Sequence, residues 1–394
     1  MADGRSPPLG WAPLVLFVVG VFLASMVRGD LANILVAVSD GSLQTFDGCF
    51  GCQRNTAWIY WPVHGLLAAI SHLMFLTPDA APLAVPSPWE IKPSRHHAEM
   101  AVQLLALYGY RVILALPVYV LLCRLVRSTW RRLVLVVLLL CILGGWPALV
   151  VNAMFTLAQH VVNWPPSYYL FVDTILSFDW SMIGFLPLLA LLILRGPVNW
   201  WQAMLMAAFG QVLMDNLGLV TGIALGLAGW RERGWRHGGV LLVAAGVGTV
   251  LVFSLFSTFG TLQMEESGLA RAAEVEGVFN KMWAWLGYYW DIQAKYNFLW
   301  LNVTIANMLS VMMPAVLFSA AASAFMTETP LEAVETRRRV WAVLAPCVGF
   351  AVTVFIGMFK SGYGSDLGRQ MLPLAVMTPF VFVVLAGRWR SRPA

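Results

Sequence analysis

Residues 100–152 read MAVQLLALYGYRVILALPVYVLLCRLVRSTWRRLVLVVLLLCILGGWPALVVN. Two apolar runs, 100–123 and 133–152, are joined by a short link that carries Arg124, Arg127, Arg131 and Arg132 and no acid. A helix that crosses a bilayer needs roughly 17 to 25 mainly apolar residues, and both runs have that length. Short arginine-rich loops stay on the cytoplasmic side. This one stretch therefore predicts a pair of membrane helices and fixes which way they point.

The remainder of the chain is of the same kind. Of 394 residues, 59% are hydrophobic and 11% charged, whereas a soluble domain carries about 25% charged residues because water meets it on every side. The mean hydropathy is +0.74. Further apolar runs cover 11–27, 172–194, 238–260, 298–326, 340–359 and 371–387. Tryptophans stand beside the ends of such runs, at Trp11, Trp130, Trp200, Trp201, Trp230, Trp300 and Trp389, where an indole keeps its N–H among headgroups and its ring against acyl chains. Arg5 before the run from Leu14 to Ala24 has the look of a signal peptide, but Ser25-Met26-Val27-Arg28 is no small-residue cleavage site, so the first run reads as an uncleaved span. The expected fold is all-α: a polytopic transmembrane helical bundle with interfacial helices on the outer face.

The formal charge of +5 does not point to nucleic acid, because the basic residues gather in short loops between apolar runs. Arg231, Arg233 and Arg236, then Arg337, Arg338 and Arg339, and the tail with Arg388, Arg390 and Arg392 ask for the same side as the link at 124–132. With the N-terminus inside, single crossings at 11–27 and 100–123 satisfy that link only if 57–76 does not cross. The same parity requires 199–229 to cross an even number of times. Two full crossings need about 40 residues, so a re-entrant hairpin with Asp215 and Asn216 near its tip is expected. The chain then divides into a first span (1–27), an extracytoplasmic loop with interfacial helices (28–99), three spans (100–194), the hairpin with a cytoplasmic loop (195–237), and four spans (238–394) with an outer loop at 261–297. Both termini face the cytoplasm of a plasma membrane of the bacterial inner-membrane kind.

The chemistry-bearing residues concentrate on the outer side. Asp30, Asp40 and Asp47 follow the first span, and Asp173 and Asp179 sit at the outer end of the run at 172–194. A carboxylate at a membrane surface activates an acceptor hydroxyl or, as a ligand, holds a divalent metal against a diphosphate leaving group. His64 and His72 lie about 80° apart if 57–76 is a helix, and share a water-facing side there with substrate-binding potential. Histidines are almost absent from the spans, which argues against bis-histidine haem. Cys49 and Cys52, in Asp47-Gly48-Cys49-Phe50-Gly51-Cys52, read as a structural disulfide of an oxidising compartment, with a redox pair or half a metal site as alternatives. Asp215 stands in an otherwise apolar stretch, with Gln211 one turn earlier, and is either the cap of the second half-helix or a polar site for substrate or ion. Gly218, Gly222 and Gly226 repeat every four residues and leave one helix face bare for a close neighbour.

The layout resembles that of large multi-span lipid-linked sugar transferases: a first span, a long outer loop with an acid near its start and membrane-surface helices, then many spans. The resemblance covers about the first 125 residues and is one of plan, since the first outer loop holds no adjacent pair of acids. It implies transfer chemistry at Asp30, Asp40 and Asp47. The expectation is an enzyme acting at the extracytoplasmic face on a lipid-linked or amphipathic substrate, with glycosyl transfer as the reaction. A secondary transporter, or a non-catalytic subunit with membrane-protein partners, is the alternative.

Overall fold

The computed structural model describes residues 11–27, 95–143, 180–213, 217–259, 312–323, 333–361 and 365–390. Among them are ten helices and no strand. In chain order these are α1 (Trp11–Val27), α2 (Arg95–Leu125), α3 (Thr129–Leu143), α4 (Trp180–Arg195) and α5 (Trp200–Leu213). They continue with α6 (Leu217–Arg233), α7 (Trp235–Phe259), α8 (Met312–Ser323), α9 (Ala333–Ser361) and α10 (Ser365–Arg390). One stretch, Trp235–Val252 of α7, is long and apolar enough to cross a membrane among the described residues; Trp11–Ala24, Ile183–Arg195, Met312–Ser323 and Met371–Ala386 are shorter apolar helices.

The helices pack in two flanks joined by a centre. On one flank α1 lies against α2 and α3, and on the other α5, α6 and α7 pack together; α4, α9 and α10 connect them. Apolar burial holds each flank: Phe17 and Val21 of α1 meet a core of Val118, Tyr119, Leu122, Leu135 and Leu139. Phe17 and Tyr119 bring their rings within 5.5 Å of each other.

Several seams close at bare backbone. Gly184 of α4 rests on the carbonyl of Leu114 beside Pro117 of α2, whose missing N–H leaves the carbonyl of Ile113, one residue earlier, without its helical donor. Gly349 of α9 sits over Val220 and Ala224 of α6, while Arg338 pairs with Glu232 and Arg231 stacks over Trp341. These contacts share one antiparallel register, so the C-terminal end of α6 and the N-terminal part of α9 lie together. Gly218, Gly222, Gly226 and Gly229 of α6 all face α7, so the four-residue glycine period is a packing face. α5 packs on both: Met204 lies on Gly248 of α7, and Gln211, two turns later, reaches Gly218 of α6.

The turns are locally encoded. Asn199 opens α5, and Gln202 reaches back so that its Oε1 accepts the Asn199 backbone N–H at 3.0 Å, half of a capping box. Gly234, with φ of 92°, ends α6 and starts α7: its N–H donates to Trp230 O at 2.9 Å and its carbonyl accepts from Gly238 N at 3.2 Å. Left-handed backbone of this kind is open to glycine at little cost.

Candidate functional site

Asp30, Asp40, Asp47, His64, His72, Asp173, Asp179 and Asp215, together with Cys49 and Cys52, lie outside the described residues. Among the described residues no group of three His, Cys, Asp or Glu side chains comes together to hold a metal. Among the buried polar side chains that are described, those at two places inside the helical core bring several groups together.

The first is where α5, α6 and α7 converge. Gln211 is 3% exposed, and its Oε1 has no hydrogen-bond partner among the described residues. It reaches this position because Gly218 has no side chain: a Cβ there would stand 2.8 Å from Gln211 Oε1 and would also strike Thr249 Oγ1. The neighbouring hydroxyls are committed within their own helices, Thr221 donating to Leu217 O at 2.7 Å and Thr249 to Ala245 O at 3.0 Å. What is left over is an amide oxygen in apolar surroundings, an acceptor for a donor or a small cation. Asp215 and Asn216 belong to the three-residue link between α5 and α6, next to this point along the chain.

The second place is the α1–α2–α3 flank. Arg111 and Arg132 are each 1% exposed and are the largest fully buried side chains among the described residues. Arg132 folds back from α3, and its Nε donates to Val126 O at 2.7 Å, closing the α2–α3 link. Tyr119 and Cys123, one turn apart on α2, are hydrogen-bonded to each other and face Arg132. Arg111 lies two turns further up α2. A guanidinium inside a helix core is costly unless its donors are met, and within membrane spans such residues mark functional paths. The signal for Arg111 was present in the sequence as a charge in the middle of an apolar run, and the reading by loop arginines passes over it.

No family model, curated protein or solved structure matches the chain.

Proposed function

We propose that the chain is a polytopic integral membrane protein that acts at its extracytoplasmic face as an enzyme on a lipid-linked or amphipathic substrate. The observation that carries the membrane part is the outward face of the helices. Ile113, Val243, Val250 and Leu317 are 59 to 67% exposed, and they belong to an apolar surface spread over α1, α2, α7 and α8 that water would not tolerate at this extent. Trp11, Trp130, Trp200, Trp230 and Trp235 are exposed at the helix ends bordering that surface, the positions of an aromatic belt. The meeting of 231–233 with 337–341 supports a shared side for those two arginine clusters. At 14 and 17 residues, α5 and α6 extend about 21 and 26 Å, shorter than a hydrocarbon core of about 30 Å. Those lengths support a hairpin that enters the bilayer and returns.

The enzymatic part rests on the outer acids Asp30, Asp40 and Asp47, with His64, His72, Asp173 and Asp179 as substrate contacts and a divalent metal as the cofactor class such acids would serve. Transport is the second reading, favoured by the Gln211 oxygen, which has no hydrogen-bond partner among the described residues, beside the link that holds Asp215. One experiment separates them. The purified protein in lipid nanodiscs is given a radiolabelled polyprenyl-phosphate sugar with Mg²⁺, and label release or transfer is followed in Asp30→Asn, Asp40→Asn, Asp47→Asn and Asp215→Asn. Activity lost in an outer-loop variant and kept in Asp215→Asn supports the enzyme. Turnover in none of them, with counterflow in proteoliposomes that depends on Asp215, overturns it in favour of transport.

A further inference from the structure

The ion pair between Arg338 and Glu232, at 3.1 Å, and the stacking of Arg231 over Trp341, at 4.8 Å, join segments more than 100 residues apart. Arg338 also lies against Gly196, the residue after Arg195 at the end of α4. Three arginine-bearing segments thus converge on one end of the bundle: Arg195 from α4, Arg231, Arg233 and Arg236 around the α6–α7 turn, and Arg337, Arg338 and Arg339 from α9. Glu232 is the carboxylate of the α6–α7 turn, and it is engaged by Arg338; Glu335 precedes the arginines of α9 by two residues, so the three segments hold seven arginines against two acids. Arg195, Arg233, Arg236 and Arg337 are exposed there. The apolar face of α7 begins within two turns, at Val240 and Val243, and Trp230 and Trp235 are exposed at its edge.

We propose that this end is a docking surface for the phosphate headgroups of anionic phospholipid, with the acyl chains lying along α7. The proposal rests on the membrane reading above. Charge complementarity selects the occupant: a dense cationic face bordered by indoles and continuous with an apolar helix face matches a ligand with an anion at one end and hydrocarbon at the other. The packing of Gly349 over Val220 and Ala224 fixes the framework, and the ion pair and the stacked Arg231 lie within it. Arg233, Arg236 and Arg337 supply the donors that arginine offers to phosphate oxygens. Positive charge in cytoplasmic loops explains orientation alone; convergence of three distant segments on one face is a property of the fold.

The full chain is purified and placed in phosphatidylcholine nanodiscs doped with phosphatidylglycerol, and the phosphatidylglycerol retained is counted by native mass spectrometry. The triple variant Arg233→Gln/Arg236→Gln/Arg337→Gln is compared with Arg124→Gln/Arg127→Gln/Arg131→Gln, which removes the same charge at the α2–α3 link. Each arginine that holds a headgroup contributes about a factor of five, so the first is expected to weaken retention by at least about tenfold; the second, on a single link outside the converged face, is expected to weaken it by no more than about threefold. Equal losses in the two variants would make the effect one of bulk charge and overturn the proposal, as would equal retention of phosphatidylcholine. Full displacement by millimolar inorganic phosphate would assign the face to free phosphate instead. Both variants carry substitutions at surface positions, and size-exclusion profiles identical to the parent's accompany the comparison. Alkaline extraction of the same membranes is read separately: protein left in the pellet upholds the membrane reading whatever the lipid preference, and protein released to the supernatant removes both.

Discussion

The α2–α3 and α6–α7 pairs both turn at short links dense in arginine, and they use that residue in opposite ways. In the first, Arg132 is drawn inside, where its Nε holds Val126 O and its side chain lies beside Tyr119 and Cys123. In the second, the turn is made by backbone alone at Gly234, and Arg231, Arg233 and Arg236 stay outside. The pairs also differ in how their helices approach. Large apolar side chains fill the first flank, whereas the second closes through glycine, with Gly238 of α7 set against the carbonyl of Gly226 and the backbone of Trp230. A link bridged by wide side chains needs a long donor to close it. A link between helices in backbone contact does not.

The largest expected effect is therefore at Arg132. Arg132→Leu leaves the Val126 carbonyl without its donor inside the core and is expected to lower stability by about 2–3 kcal/mol. Arg131→Gln, on a half-exposed neighbour, is expected to change it by less than about 0.5 kcal/mol. Thermal unfolding in detergent measures both, and equal shifts would show that Arg132 acts only as one more surface charge.

The glycine seam comes next. Gly218→Ala places a methyl against Thr249 Oγ1 and Gln211 Oε1, whereas at Gly222 and Gly226 the nearest atoms are 3.5 Å away, ordinary contact. The first substitution is expected to cost about 1–2 kcal/mol by overpacking. Gly222→Ala and Gly226→Ala are expected to be neutral or to gain up to about 1 kcal/mol from helix propensity. Uniform loss across the three would mean the whole period is needed for close approach.

What the sequence made legible, and what it concealed, follows the same division. Where the apolar runs fall among the described residues they are helical, because a helix satisfies the backbone of an apolar stretch within itself. The inward turn of Arg132 was hidden because α3 is apolar on all sides after it: Arg132 continues the buried line of Leu135, Val136, Leu139 and Leu143, but with no polar face opposite, no periodicity singles that line out. The four-residue spacing pointed to Gly218, yet the other tight contacts of this seam fall on Gly229 and Gly238, and Gly248 closes on Met204 of α5; none of these belongs to the series of Gly218, Gly222 and Gly226. Their role depends on which helix arrives, and that is tertiary information. Gln211 stands one turn before Asp215 in the sequence, and its burial comes from the packing of α5 on α6 and α7 against Gly218, which no local pattern encodes.

Gly234 tests the backbone-made turn directly. At φ of 92°, with nothing within 4 Å of where a Cβ would stand, Gly234→Ala meets no neighbour and suffers only the conformational penalty of the left-handed region, about 1 kcal/mol. Gly234→Asn should recover part of it, because asparagine tolerates that region better than alanine. Alanine without effect would mean that the link can reshape and that the arginines around it, rather than the backbone, hold the end together.

The smallest effect is expected at the ion pair itself. Arg338 and Glu232 approach to 3.1 Å, but their side chains are 38% and 35% exposed, so water and salt screen the attraction and two long side chains lose freedom to make it. Glu232→Gln is expected to change stability by no more than about 0.5 kcal/mol, and a double-mutant cycle with Arg338→Gln should give a coupling below about 1 kcal/mol that shrinks in added salt. The register in which α9 presents Arg337 beside the α6–α7 turn is set by the close contact of Gly349 with Val220 and Ala224, and the pair lies within it. A coupling well above that bound, insensitive to salt, would mean that the pair is shielded from water. The α6–α7 end would then depend on a buried charge contact, as the α2–α3 link depends on Arg132.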